Sequence, residues 1–389
     1  HIDRALALDP DLADAYVAKT ALLWDRYRFE EALASIERAL AINSSLALAH
    51  LERATVLESL GRIAEARDSL LTAADLDPLD MSILLRAIAD ARDYRDLALL
   101  DEVERRLRQQ ATGESADLQQ YTGLIRLVLQ EKNLAEVYRR HTQAVDAVAE
   151  ETPLRRRLEF LRADFGHELN HRPNALIEEA RSPELYRFLA AIQIEGQEEL
   201  AWERHAPLPP PLREVPVGLE EVSLRQMREG DCEAGLATLE RAHGGRVPIY
   251  GQVPPNMLRS NANLAANRVF CLRQLGKTEE ASAILAKLRP FIDSLKASAP
   301  GGHEMLAIKL EVIDGRPVAA MKLLERAVRE RHLGYLVWGD PLVKSRENLP
   351  EYAPLRRWLA DTLNAERAEF GWPASRLLAP GTSAVPGSF

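Results

Sequence analysis

The 389-residue sequence contains only two cysteines, Cys232 and Cys271, and aromatic residues make up only 6% of it. Two cysteines are too few for a disulfide framework, and they lack the spacing of a zinc-binding cysteine cluster. No run of about 18 apolar residues occurs, so the sequence offers no membrane-spanning segment. A disulfide-rich domain and a membrane span are therefore excluded as ways of organising this chain.

The sequence has fewer basic than acidic residues, 50 Lys and Arg against 59 Asp and Glu, so the net charge is -9. An acidic chain repels phosphates and gains no counterion release on binding nucleic acid, so we expect no direct nucleic-acid partner. Hydrophobic residues make up 46% and charged residues 28% of the chain, which is the balance of a folded protein. A chain of this length is expected to hold more than one packed unit.

The N-terminus lacks the basic and then apolar order of a secretion signal, which favours the cytoplasm over the periplasm. Residues 1–10, HIDRALALDP, have the pattern of the end of a helix, and no methionine precedes them. We therefore expect the first repeat to be truncated and a further domain of the parent protein to lie upstream of His1.

A repeat with a period of 34 residues runs through the first part of the chain. Asp9-Pro10, Asn43-Ser44 and Asp77-Pro78 each follow an Ala- and Leu-rich segment at this interval. Such a period is typical of stacked helix pairs. The positions where paired helices interlock are Tyr16, Ala32, Ile36 and Ala39 in one repeat and His50, Ala66, Leu70 and Ala73 in the next.

Two residues mark the ends of the helices in the second repeat. Gly61 falls between the paired helices, where a residue free to adopt a positive φ is favoured, and Pro78 stops the repeat because it has no amide donor. Together with the small residues, this pattern resembles the tetratricopeptide repeat (TPR) family over residues 1–80. The resemblance implies an all-α fold, an α-solenoid of antiparallel helix pairs in two superhelical segments, with a concave groove that binds another polypeptide.

The remaining chain keeps a helical periodicity with a looser signature. A helix pair is predicted between Leu118 and Ala149 around a turn near Lys132-Asn133, and Pro207–Pro211, Pro216 and Gly218 predict an extended connector. Beyond it, Gly230, Gly276 and Gly315 precede predicted helices at Cys232–Ala242, Thr278–Leu288 and Pro317–Arg331, and Gly301-Gly302 separates the last two pairs. The predicted segments are TPR-like repeats at 1–110, degenerate helical repeats at 111–205, the connector at 206–217, C-terminal TPR-like repeats at 218–370 and a flexible tail at 371–389.

The C-terminal third carries a second resemblance. The order of Asn267-Arg268, the glycine-led helices, Tyr335, Asp340-Pro341 and Tyr352 is similar to the TPR tail of bacterial signalling proteins that carry an adenylate-cyclase or winged-helix domain. Leu355-Arg356 follows Tyr352 here, whereas those families place this pair before the aromatic residue. The resemblance implies a regulatory interaction module. Trp338, Tyr352 and Trp358 are predicted to cover the exposed end of the last repeat.

The TPR register also predicts which residues face the groove, because equivalent positions of successive first helices line it. These predicted groove residues are Asp14, Val17, Ala21, Trp24, Asp25, Leu48, Leu51, Thr55, Glu58, Ser59, Ser82, Leu85, Ala89 and Arg92. Val17, Ala21, Leu51 and Thr55 depart from the Lys, Asn and Arg of chaperone-tail clamps, so a mixed apolar and acidic groove for a peptide is predicted. Trp24 either anchors the partner or packs between repeats with Tyr27 and Phe29.

One segment has the spacing of a catalytic site. His167-Glu168-Leu169-Asn170-His171 fits the H-E-x-x-H pattern, which places two zinc-binding histidines on one helix face with a glutamate as general base. Arg172-Pro173 follows at once, and a proline there breaks the helix. We therefore assign no catalytic residue, metal or cofactor and expect no enzyme. A zinc-dependent hydrolase at 167–171 and a purely structural, self-assembling repeat protein stay open as alternatives.

Overall fold

The structure is a computed structural model, and it describes residues 1–25, 28–109, 113–148, 158, 216–242, 258–333, 337–338, 340–372 and 374. Within these ranges the regular elements are helices, so the all-α prediction is confirmed. Several sequence predictions lie outside the described residues: the HELNH segment at 167–171, the Pro207–Pro211 stretch, Tyr27, Tyr335 and the tail at 375–389.

The helices of the first 148 residues are α1 (Ile2–Leu8), α2 (Ala13–Asp25), α3 (Phe29–Ile42), α4 (Ala47–Ser59), α5 (Ile63–Leu76), α6 (Met81–Asp93), α7 (Leu97–Gln109), α8 (Gly113–Gln130) and α9 (Leu134–Ala147). The later helices are α10 (Pro216–Arg228), α11 (Cys232–Ala242), α12 (Leu258–Gln274), α13 (Thr278–Ser298), α14 (Glu304–Ile313), α15 (Pro317–Arg329), α16 (Pro341–Lys344) and α17 (Tyr352–Ala368). Among the described residues, no helix combines the length and apolar character needed to cross a bilayer.

The chain divides into two compact units, each built from separate stretches of sequence. Unit 1 holds His1–Leu129, Pro248–Val269 and Thr278–Leu306. Unit 2 holds Gln130–Val247, Phe270–Lys277 and Ala307–Phe389. Each of the five segments predicted from the sequence is one contiguous stretch, whereas each unit combines three stretches that alternate along the chain with those of the other unit.

The helices of unit 1 follow the predicted 34-residue period. The first helices α2, α4 and α6 begin at Ala13, Ala47 and Met81, and each start lies 34 residues after the one before. The second helices α3, α5 and α7 begin at Phe29, Ile63 and Leu97 with the same interval. Helix α2 packs on α3, α4 on α5, and α6 on α7, while α3 contacts α4 and α5 contacts α6.

The turn between the two helices of a pair is repeated as well. The amide of Arg62 donates to the carbonyl of Leu57, and the amide of Asp96, 34 residues later, donates to the carbonyl of Ala91, both at 2.8 Å. Each bond closes a Schellman turn around a residue with a positive φ. That residue is Gly61 (φ +74°) in the α4–α5 turn, as predicted, and Arg95 (φ +54°) in the α6–α7 turn.

Small residues at the predicted interlocking positions form the core of unit 1. Ala32, Ile36 and Ala39 are fully buried in α3, and Ala66, Leu70 and Ala73 are buried in α5. Two clusters join successive pairs, since Ile36 packs with Val17 and Ala49, and Ala32 packs with Leu23 and Val56. Alanine suits positions 32, 39, 66 and 73 because a larger side chain there would push the helix axes apart, while Ile36 and Leu70 fill the space between the helices.

In unit 2, α10 packs on α11, and a disulfide joins Cys232 of α11 to Cys271 of α12. The sequence did not predict this bond, because a pair of cysteines 39 residues apart carries no framework pattern.

Gly235 of α11 is explained by the packing of α11 on α10. A Cβ at Gly235 would lie 2.7 Å from the Cγ of Met227, so glycine lets α11 approach α10 closely.

The C-terminal helices of unit 2 are joined by a buried ion pair and by contacts of aromatic rings. Lys309 of α14 forms a 2.6 Å ion pair with Asp340, whose carboxylate also accepts the amides of Leu342 and Val343 at the start of α16. Trp338 is fully buried and meets Tyr352 edge to face with 5.0 Å between ring centroids. Trp358 is half-buried under the guanidinium of Arg329, 4.7 Å from it.

At α10 and α13 the helix boundary differs from the sequence prediction at a proline, and α15 ends at Arg329 rather than Arg331. Helix α10 begins at Pro216 and includes Gly218, which were assigned to the connector, because proline is tolerated in the first turn, where its missing amide has no partner to lose. Helix α13 runs to Ser298 rather than ending at Leu288, with Pro290 inside it. Pro290 is exposed, while Leu288 and Phe291 on either side of it are buried, and Phe291 packs on Gly61 within the same unit.

Candidate partner-binding surface

The predicted groove residues lie on the first helices α2, α4 and α6 of unit 1, and their exposure differs widely. Asp14, Ala21, Leu48 and Ser82 are exposed, whereas Val17, Glu58 and Ser59 are buried. Trp24, Leu51, Thr55, Leu85, Ala89 and Arg92 are half-buried. The side chain of Asp25 lies outside what the structure describes. We refer to the exposed and half-buried members of this set as the first-helix surface.

Leu48 is a large apolar side chain of this surface that is exposed, with 50% of its area open to solvent. It stands near the start of α4, and Leu51 follows three residues later, on the same face of the helix. Leu85 occupies the position of α6 that is equivalent to Leu51 in the 34-residue repeat. An exposed leucine with a half-buried leucine on the same helix face can contact an apolar side chain of a partner.

Trp24 has a structural contact and an accessible edge at the same time. Its indole Nε1 donates to the Oγ of Ser59 at 2.9 Å, which links α2 to α4. Its ring meets Phe29 edge to face at 6.5 Å and packs on the cluster of Leu23, Ala32 and Val56. Packing between helix pairs, one of the two predicted roles of Trp24, is therefore observed, and the half-buried ring leaves the anchor role as a proposal.

Ser59 and Thr55 complete this link through local hydrogen bonds. The hydroxyl of Ser59 donates to the carbonyl of Thr55 at 3.0 Å, and that of Thr55 donates to the carbonyl of Leu51 at 3.3 Å. Each bond runs back one turn along α4. The Ser59 oxygen is thereby oriented to accept the indole proton, which a serine free to rotate in solvent would do less well.

A charged cluster of three side chains joins α4 to α6. Arg86 of α6 forms an ion pair with Glu58 of α4, and its Nε donates to Asp90 at 2.8 Å, one turn along α6. Glu58 is only 2% exposed, whereas the side chains of Arg86 and Asp90 keep 26% and 16% of their area open to solvent. One guanidinium therefore serves two carboxylates, and the cluster carries one excess negative charge when both are ionised.

The electrostatics of this cluster follow from burial. Burial raises the pKa of Glu58 well above its ordinary value, and the nearby Asp90 raises it further, while Arg86 opposes both effects. Burial also raises the pKa of Asp90, again against the influence of Arg86. Two carboxylates that share one guanidinium favour sharing a proton, because the second negative charge has no cation of its own.

Sequence reasoning placed Glu58 in the groove and did not include Arg86 or Asp90. The structure instead buries Glu58 as one side of an interhelical ion pair. The R-x-x-x-D spacing of Arg86 and Asp90 could have been recognised as an i,i+4 pair on one helix. Its connection to Glu58, 28 residues earlier, depends on how the helix pairs stack and has no local signature.

Ser82 and Arg92 mark the two ends of α6. Asp80 caps this helix by accepting the amide of Ser82 at 2.8 Å, and the Ser82 hydroxyl donates to the same oxygen at 2.6 Å. Arg92 pairs with Asp93 at 3.0 Å in the last turn. The described residues contain no group of three or more His, Cys, Asp or Glu side chains arranged to hold a metal ion.

No model of a known protein family matches this chain. No curated protein in the search matches it either.

Proposed function

We propose that this chain is the TPR-type, protein-binding region of a larger bacterial signalling or transcription-regulating protein. The observation that carries the proposal is the 34-residue spacing of six helix starts in unit 1, with two Schellman turns at the same spacing. In a solenoid of such pairs, equivalent positions of the first helices line one concave face. The proposed fold is a TPR-like α-solenoid of stacked antiparallel helix pairs in two superhelical segments.

The proposed ligand is a peptide, or an effector domain of the same protein, bound at the first-helix surface. Leu48, Leu51 and Leu85 supply apolar contacts and Asp14 an exposed carboxylate. Trp24 would serve as the central anchor, because partly buried aromatic side chains contribute most to interface energies. A ligand that fits this surface is an amphipathic segment with apolar side chains and at least one cationic residue.

The proposal is tested by placing a photo-crosslinking amino acid at Leu48 in the full chain and identifying the crosslinked protein by mass spectrometry. Trp24→Ala combined with Asp25→Lys should abolish this crosslink while leaving the helical circular dichroism unchanged. Glu30→Lys is a matched control, because it makes the same charge change at an exposed position of the second helix α3. A discrete partner that survives the first variant, or is lost in the control, would place the binding site elsewhere.

A further inference from the structure

Two turns of unit 1 are covered by one later segment of the chain, residues 278–301. The turns are those at Gly61, between α4 and α5, and at Tyr94-Arg95, between α6 and α7. The covering segment consists of α13 and the three residues that follow it. Because the two turns belong to successive helix pairs, a segment that contacts both joins the second pair to the third.

The contact at the first turn is made by two side chains of α13. The ring of Phe291 packs on Gly61 so closely that a Cβ there would lie 2.7 Å from its Cδ2. The hydroxyl of Ser294, one turn further along α13, donates to the carbonyl of Gly61. Phe291 is buried, so its ring packs on the Gly61 turn in the interior rather than at the solvent-exposed surface.

The contact at the second turn has the opposite arrangement. Here the glycine belongs to the covering segment, and the amide of Gly301 donates to the carbonyl of Tyr94 at 2.9 Å. A Cβ at Gly301 would lie 2.8 Å from the Cδ of Arg95, so the aliphatic part of that side chain packs on Gly301. Arg95 is also held from its other end, since its guanidinium donates to the carbonyl of Leu129 at 3.0 Å.

The length of the segment matches the distance it has to cover. From Phe291 to the end of α13 at Ser298 the helix rises about 10 Å. Packed helices lie about 8–10 Å apart, so one such step leads from one helix pair to the next. The helix is stiff from Phe291 to Ser298, and only three further residues lead to the second contact at Gly301, so the segment limits the separation of the two turns.

We propose that residues 278–301 form a strap that holds the second and third helix pairs of unit 1 at one separation. The strap acts at the turns, and the Glu58–Arg86–Asp90 cluster joins the same two pairs through α4 and α6. Releasing the strap leaves that cluster in place, together with the ion pair of Arg67 with Asp96. The strap does not depend on the proposed function, although its release would alter the spacing of Leu51 and Leu85 on the proposed binding surface.

The test is amide hydrogen exchange on the full chain, read at both turns. Phe291→Ala removes the contact at Gly61 and is expected to raise exchange about tenfold or more at the Gly61 turn and also at the Tyr94-Arg95 turn, which Phe291 does not touch. Leu239→Ala in α11 of unit 2 is the matched control, because it also truncates a buried side chain but lies outside the strap. It should leave both turns unchanged.

Ser294→Ala provides a second variant that keeps the aromatic packing and removes only the hydrogen bond to Gly61. It is expected to show the same pattern with a smaller increase, which guards against a general loss of folding in Phe291→Ala. Increased exchange confined to the Gly61 turn would overturn the strap, because the two pairs would then open independently. An equal increase in the Leu239→Ala control would overturn it as well.

Discussion

Replacing Arg86 by methionine tests whether the cluster between α4 and α6 is held by its single cation. The variant keeps an unbranched side chain of similar length and leaves Glu58 and Asp90 without a cation in the cluster. Truncating one partner of a buried ion pair costs about 3–5 kcal/mol. Arg86 is 26% exposed, and solvent therefore recovers part of this loss, so we expect a value near the lower end, about 3 kcal/mol at pH 7.5.

The cost of Arg86→Met should depend on pH with a defined sign. Burial raises the folded-state pKa of Glu58 and of Asp90, and Asp93 raises both further, whereas Arg86 opposes these effects. Carboxyls with a raised folded-state pKa contribute stability below their unfolded-state pKa, and this contribution is lost as the pH rises through the folded-state pKa. Without Arg86 both pKa values rise further. The variant should therefore lose more stability at pH 7.5 than at pH 4.5.

The assay is hydrogen exchange of the α4 and α6 amides at these two pH values, corrected for the intrinsic rate. Arg105→Met is the matched control, because Arg105 pairs with Glu102 on the exposed side of α7, and the loss of such a surface pair is nearly neutral. Adding Glu58→Gln to Arg86→Met should recover part of the loss at pH 7.5. The reasoning is refuted if Arg86→Met and its control behave alike, or if the variant is destabilised more at pH 4.5.

Three further outcomes follow from the structure. Gly276→Ala places a Cβ in open space at φ +73° and should lower the free energy of unfolding by about 1–2 kcal/mol. Gly61→Ala should lower it by at least about 1 kcal/mol more, because the added Cβ meets the ring of Phe291. Equal losses of the two variants in urea unfolding would contradict this. Reduction of the Cys232–Cys271 disulfide with dithiothreitol should destabilise unit 2 by about 4 kcal/mol, and thiol titration of the untreated protein should find no free thiol. Trp24→Phe should cost about 1 kcal/mol, since the indole hydrogen bond is lost while the aromatic packing is kept; an unchanged unfolding midpoint would show that this bond contributes little.

Much of unit 1 could be predicted from the sequence because its helices are set by local information. The alternation of apolar and small residues at 34-residue intervals predicted the period of the helix pairs, the turn at Gly61 and the burial of Ala32, Ile36 and Ala39. Helix periodicity depends on side chains three and four residues apart, which a single sequence displays directly. The same local signals predicted the helices that begin at Cys232, Thr278 and Pro317.

The groove residues show where local information ends. The repeat register predicts exposure from the position of a residue within its repeat. It therefore predicted that Trp24 and Glu58, which lie 34 residues apart, both face the groove. Their surroundings differ, since Trp24 is half-buried beside Ser59 while Glu58 is buried against Arg86. Which position stays open depends on the neighbouring pair's side chains rather than on the register.

The sequence by itself determined the helical class of this protein, the 34-residue period of its first helices and the turn at Gly61 that needs a positive φ. Only the tertiary structure decided that Ser294 meets the carbonyl of Gly61 across 233 residues, that Arg86 joins Glu58 to Asp90, and that Cys232 pairs with Cys271. The physical reason is one of range. Helices and turns follow from bonds between near neighbours in the chain, whereas these contacts exist only after separate helices have packed together.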